Sequence, residues 1–244
     1  MATTEDISII GYGRFGQLAA RYLAPHANIG VASRHLPKKL PKGISALTLD
    51  EAAGMPVVIL AVPINAMPAV LRQIAPSVRK DAIVMDVCSV KEKPVEWMLK
   101  ALPRSVAVVG THPLFGPDSA ALTVEGRNVI LCPGRKSSRL ISRINGIFEY
   151  QGVHTYTMSA AKHDELMAST LFLTQLIGHS VGNHLIPETD ATTDNFEKLR
   201  QIVLTSKHDT TELFRDMYRY NRFARKIPAQ VIKGMERVVR NLSK

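Results

Sequence analysis

His112 is the residue of this chain best placed to do chemistry. It lies in Gly110-Thr111-His112-Pro113-Leu114-Phe115-Gly116-Pro117-Asp118-Ser119, directly after the apolar run from Val106 to Val109. Pro113, Gly116 and Pro117 stiffen the loop that follows. A loop at the carboxyl end of a buried strand is where open α/β sheets keep their reactive groups. A free imidazole has a pKa of about 6.5, so such a histidine is mostly neutral near pH 7 and able to accept a proton. A second loop, Asp86-Val87-Cys88-Ser89-Val90-Lys91, ends the apolar run from Ala82 at the same expected sheet edge. Its Ser89 hydroxyl can hold the imidazole in one tautomer or touch the same substrate oxygen. A serine hydrolase does not fit: the chain has no GxSxG elbow and no evident acid partner.

A dinucleotide site precedes these loops. Gly11-Tyr12-Gly13-Arg14-Phe15-Gly16 is GxGxxG, set between an apolar run and an amphipathic helical pattern. That context gives the motif its meaning. Gly11 is expected to make the tight turn, Gly13 to let the backbone approach a pyrophosphate, and Gly16 to let helix and strand pack closely. Arg14 and Phe15 open the helix, whose N-terminus offers N–H groups to phosphate. NAD enzymes usually carry Asp or Glu at the end of the second strand. This chain has Ser33-Arg34-His35, with Lys38 and Lys39 beyond and no acid between Asp6 and Asp50. A hydroxyl followed by a guanidinium suits a 2′-phosphate, so NADP is the expected cofactor. Val62 and Pro63, ending the third apolar run, are expected to line the nicotinamide side.

The elements that must position these residues follow a β-α-β-α rhythm. Strands are expected at Ile7 to Ile10, Asn28 to Ala32, Pro56 to Val62, Ala82 to Val87, Val106 to Val109, Asn128 to Leu131 and Val153 to Tyr156. Helical patterns separate them, including Phe15 to Leu23, Ile64 to Ile74, Val90 to Leu102 and Ser138 to Tyr150. This predicts an α/β fold, a doubly wound parallel sheet of Rossmann type, over residues 1–157. From Ser159 onward no strand is evident. Residues 159–185, 192–206, 209–225 and 228–242 read as helices, so 158–244 is expected to be an all-helical domain. Four helices make a thin core, and a homodimer burying their apolar face is expected.

Composition narrows the function classes. The 244 residues are 45% hydrophobic and 21% charged, an ordinary globular profile. No apolar run approaches a membrane span, and the polar start Met1 to Asp6 does not read as a signal peptide. Cys88 and Cys132 are far apart, consistent with a reduced cytoplasmic setting. The net charge of +10 admits a nucleic-acid partner. The positive residues are dispersed, however, without aromatic interleaving, so anions such as a phosphorylated cofactor and a carboxylate substrate account for it. His154, His179, His184 and His208 lack metal-ligand spacing, and no metal is expected.

The segments DVCSVKEKP, GTHPLFGPDS and MSAAKHDELMASTLF resemble the prephenate/arogenate dehydrogenase family of tyrosine biosynthesis. The stretch from Phe196 to Ala224, with Tyr220-Asn221, resembles especially its short arogenate dehydrogenases of plant type. The likeness runs from about residue 7 to residue 224. It implies an NADP-dependent oxidative decarboxylation of a cyclohexadienyl carboxylate, with His112 as base and Ser89 as its hydrogen-bonding partner. It also implies a substrate role for Asp209, since an acid favours the ammonium of arogenate over the keto group of prephenate. Asp209 equally suits the cap of the helix that follows. The plant-type pattern SQFxTH is replaced by Thr170-Leu171-Phe172-Leu173-Thr174-Gln175, which puts Gln175 in the expected substrate pocket and plant specificity in question. Arg200, Arg215, Arg219 and Arg222 are candidates for the substrate carboxylates. His163-Asp164 reads as inter-domain packing or helix-start charge. A 3-hydroxy acid dehydrogenase using Lys162, and a non-catalytic NADP-binding regulatory protein, are the alternatives.

Overall fold

The computed structural model describes residues 5–182, 186–187, 189 and 191–243, and His184 lies outside them. The chain divides into two compact units, residues 1–163 and 164–244. The division falls inside a helix, later than the change of sequence pattern at residues 157 and 158.

The first unit runs β1 (Glu5–Ile10), α1 (Arg14–Leu23), β2 (Ala27–Ala32), β3 (Ile44–Ala46), α2 (Leu49–Ala53), β4 (Val57–Leu60), α3 (Met67–Ile74), β5 (Ile83–Asp86), α4 (Glu92–Ala101), β6 (Ala107–Pro113), β7 (Asn128–Pro133), α5 (Ser138–Tyr150) and β8 (His154–Thr157). A single sheet of eight strands has the order β3-β2-β1-β4-β5-β6-β7-β8. Chain order reverses at β1, which has β2 on one side and β4 on the other. That reversal opens the crevice in which doubly wound sheets bind ligands. Every residue of β4 is buried, which is why Val57–Leu60 reads as an unbroken apolar run rather than an alternating one. Each such side chain contributes about 1.5–3 kcal/mol of burial.

The expected parallel sheet needs one correction. β7 runs antiparallel to β6, pairing His112 with Ile130 and Pro113 with Val129. β6 is also longer than the apolar run from Val106 to Val109. Its pairing with β5 ends at Gly110, and Thr111–Pro113 continue past that end on β7 alone. His112 therefore sits in a strand that overhangs the parallel sheet, not in the loop beyond it.

The described residues of the second unit form no strand, and its first helix, α6 (Ala160–Met167), crosses the division. A π-helical turn, Ala168–Phe172, separates α6 from α7 (Leu173–Val181). Next come α8 (Asp194–His208), α9 (Thr211–Tyr220) and α10 (Ile227–Leu242). Thr193 and Thr210 cap α8 and α9, each accepting from a backbone N–H in the first turn. The helix expected over 209–225 stops at Tyr220, because Asn221 is extended (φ −101°, ψ 105°). α7 and α8 touch closely where a Cβ on Gly178 would stand 2.0 Å from Ser206 Oγ. Ile232, Met235, Val238, Val239 and Leu242 leave an exposed apolar stripe on α10. Among the described residues no helix is long and apolar enough to cross a membrane.

Candidate active site

The glycine motif turns between β1 and α1 at the sheet's reversal. Gly11 has φ +104°, and a Cβ there would stand 2.2 Å from the Ala61 carbonyl oxygen, so only glycine lets β1 and the end of β4 approach. A Cβ on Gly16 would stand 2.1 Å from the Gly11 carbonyl oxygen. Gly13 is the N-cap of α1, and the space where its Cβ would lie is open. No side chain caps this helix and no acid lies in its first turn. The start of such a helix suits an anion, which fits a dinucleotide pyrophosphate.

The side chains around the motif are already engaged. Arg14 donates to Asp118 Oδ1 at 2.7 Å, tying the glycine loop to the loop after β6. Phe15 packs into the apolar core beside Phe115, with ring centroids 6.5 Å apart. Phe15 can therefore meet phosphate only through its backbone. Ser33, Arg34 and His35 stand exposed at the end of β2. Val62 is half-buried, and Pro63 is exposed at the start of a short 3-10 turn. A cleft of about 620 Å³ is bordered by Tyr12, Arg14, Gln17, Arg21 and Lys42, adding cations beside the motif, but it does not reach His112.

The second cluster lies at the ends of β5 and β6. Asp86 closes β5, and its Oδ2 accepts from the Cys88 backbone N–H at 2.9 Å and from Lys91 Nζ. Lys91 Nζ also donates to the Thr111 carbonyl at 2.6 Å, while the Thr111 hydroxyl donates to the Asp86 carbonyl. Thr111, one residue before His112, is thus fastened to the end of β5 directly and through Lys91. His112 Nδ1 lies 2.8 Å from His163 Nε2, and the two rings meet at 66°. Burial, then the neighbouring His163, then the Lys91 cation push the His112 pKa well below 6.5. Burial and Lys91 push that of His163 down to about 3. Both rings are accordingly neutral at pH 7.

Sequence reasoning placed Ser89 beside His112. Ser89 is half-buried at the end of β5, but the hydrogen bond at Nδ1 goes to His163. His163 was expected to pack or to carry helix-start charge, and Lys91 carried no expected role. Both are fully buried at the centre of the cluster. The signal for Lys91 was its spacing from Asp86 within one loop; that for His163 was its place in the family-like segment MSAAKHDELMASTLF.

In the second unit Gln175 and Asp209 come together. Gln175 Nε2 donates to Asp209 Oδ2 at 2.6 Å. Because Thr210, not Asp209, caps α9, the carboxylate of Asp209 is not consumed by the helix start. Asn221 Nδ2 donates to the Asp164 carbonyl at 2.7 Å, a structural tie between α9 and α6. Of the candidate arginines, Arg200 pairs with Glu197 at 2.7 Å, and Arg219 and Arg222 lie over the rings of Tyr220 and Phe223.

Residues 42–157 match the family model described as prephenate dehydrogenase, nucleotide-binding domain, and residues 181–244 match a TYRAAT1-like C-terminal domain. Arogenate dehydrogenase 2 (chloroplastic) of Arabidopsis thaliana is 29% identical over 88% of this chain and 63% of its own length. A probable arogenate/prephenate dehydrogenase of Methanocaldococcus jannaschii is 31% identical over 74% of this chain and 42% of its own. The chain thus spans less than two thirds of either relative. The fold is that of prephenate dehydrogenase from Aquifex aeolicus, solved with hydroxyphenyl propionate and NAD+ (TM-score 0.72, 18% identity, 99% of this chain and 93% of that one). It is equally that of Synechocystis arogenate dehydrogenase (TM-score 0.70, 20% identity, 98% and 92%).

Proposed function

We propose, from the premise that the chain belongs to the prephenate/arogenate dehydrogenase family, that it carries out the NADP-dependent oxidative decarboxylation of arogenate or prephenate in tyrosine biosynthesis. The observation that carries the reading is the placement of His112, a buried neutral imidazole on the strand that overhangs the sheet, in a unit whose glycine turn suits a dinucleotide. The N–H groups at the start of α1 would hold the pyrophosphate. Ser33 and Arg34, exposed with no acid beside them, would hold a 2′-phosphate. Val62 and Pro63 would border the nicotinamide, which supplies the hydride acceptor.

His112 takes the proton of the ring hydroxyl at Nε2 as the hydride leaves the same ring carbon. The electrons of the breaking carboxylate bond enter the ring, CO2 departs, and the phenolate oxygen recovers the proton from His112. Ser89 touches the same substrate oxygen. Asp209, held by Gln175, would favour the ammonium of arogenate over the keto group of prephenate by charge pairing. The exposed apolar stripe of α10 supports a homodimer. Cys88 and Cys132, which form no disulfide, suit the cytoplasm.

The test is product identification. Arogenate with NADP should give tyrosine, CO2 and NADPH in equal amounts. His112→Asn should keep NADP binding and lose turnover by about 10²–10⁴-fold. Unchanged turnover in that variant would remove His112 from the chemistry.

A further inference from the structure

We propose that His163 is the positioning residue for His112: its Nε2 accepts the Nδ1 hydrogen of His112 and thereby leaves His112 Nε2 free as the base. This rests on the reading of His112 as base given above. The two ring nitrogens are 2.8 Å apart and both side chains are buried, so one hydrogen must lie between them. Two neutral arrangements satisfy that contact. In one, His112 Nδ1–H donates and His163 Nε2 accepts. His112 then presents a lone pair on Nε2. In the other, His163 Nε2–H donates to His112 Nδ1, and the remaining proton of His112 occupies Nε2, where it can only donate. Only the first arrangement provides a base.

The surroundings keep the pair in the neutral regime that makes this choice matter. Lys91, whose ammonium is held by Asp86 and the Thr111 carbonyl, is the cation facing both rings. It opposes an imidazolium on either one, and so does burial. A charged pair, with two donors facing each other, is therefore disfavoured at rest. During the reaction the substrate hydroxyl proton goes to His112 Nε2. The Nδ1 hydrogen stays donated to His163, whose lone pair faces the new positive charge. The proton then returns to the phenolate oxygen, and the pair is restored. A tautomer held by a buried partner is the arrangement that sets proton acceptance in other histidine-dependent sites, where the wrong tautomer costs several orders of magnitude in rate.

The experiment combines ¹⁵N-imidazole NMR of the full chain with kinetics of His163→Leu and His163→Gln. The glutamine retains a carbonyl acceptor close to the position of Nε2; leucine retains none. In the unaltered protein His112 should carry its proton on Nδ1. His163→Leu should lower kcat about a hundredfold with NADP affinity unchanged, and His163→Gln should recover most of that loss. A proton on His112 Nε2 in the unaltered protein, or wild-type kcat in His163→Leu, overturns the inference. Should the leucine variant not fold, the tautomer and the glutamine variant still decide. Absence of turnover by the unaltered protein overturns the enzymatic reading instead, and the NMR result separates the two failures.

Discussion

Lys91 and Asp86 form an ion pair from which water is wholly excluded, both side chains being 0% exposed. Such a pair gains little over a hydrophobic replacement, but losing one partner strands a charge. Here the pair also fastens the strand that carries His112, through the Thr111 carbonyl. Lys91→Met should destabilise the first unit by about 3–5 kcal/mol. The double variant Lys91→Met/Asp86→Leu should recover part of that loss. Urea unfolding of both variants checks the expectation, and an unchanged midpoint for the single variant would contradict it.

The buried histidine pair gives a signed pH dependence. An unfolded histidine takes up a proton below about pH 6.5, whereas His163 in the folded chain does so only near 3 and His112 also stays neutral well below its usual range. Between those limits the unfolded state binds more protons, so stability falls as pH falls. The slope is about 1.4 kcal/mol per pH unit for each histidine. Unfolding midpoints measured from about pH 7 down to about pH 5 should decline, and the decline should be shallower in His163→Gln. On the activity side, the acid limb attributed to His112 should lie below 6.5.

Cofactor choice is assigned to an exposed guanidinium. Arg34→Ala should raise the KM for NADP by about ten- to a hundredfold, the worth of one charge-assisted hydrogen bond, and leave NAD nearly unaffected. Equal effects on both cofactors would show that Arg34 does not touch a 2′-phosphate.

Much of the fold was legible because the buried parallel strands are continuous apolar runs and the helices between them are amphipathic. The helix Ser138–Tyr150 was read with its observed limits. β3 was not seen, because three residues, Ile44–Ala46, carry no usable alternation. α2 was missed although Thr48 and Glu51 form a capping box, a signal that was there to be read. β6 was ended early because Gly110 and Thr111 break the apolar run, while its extension depends on backbone bonds to β7. The direction of β7 was not legible, since the segment from Leu114 to Arg127 is long enough for a parallel crossover. His163 lies 51 residues from His112, and a contact at that separation leaves no trace in local spacing.

Asp209 is the residue proposed to separate the two substrates. Thr210 supplies the cap of α9, so Asp209→Asn should fold with little loss of stability. It should lower kcat/KM for arogenate by about ten- to a hundredfold and leave prephenate little changed or improved, because one charge pairing with the ammonium is lost. A parallel loss with both substrates would place Asp209 outside the discrimination.

Initial rates of nicotinamide reduction test the proposed reaction most directly. Arogenate and prephenate are each offered with NADP and with NAD. The account predicts rapid reduction of NADP with at least one substrate, fastest with arogenate and slower with NAD. No reduction with any of the four pairs, in protein shown to bind NADP, would contradict it.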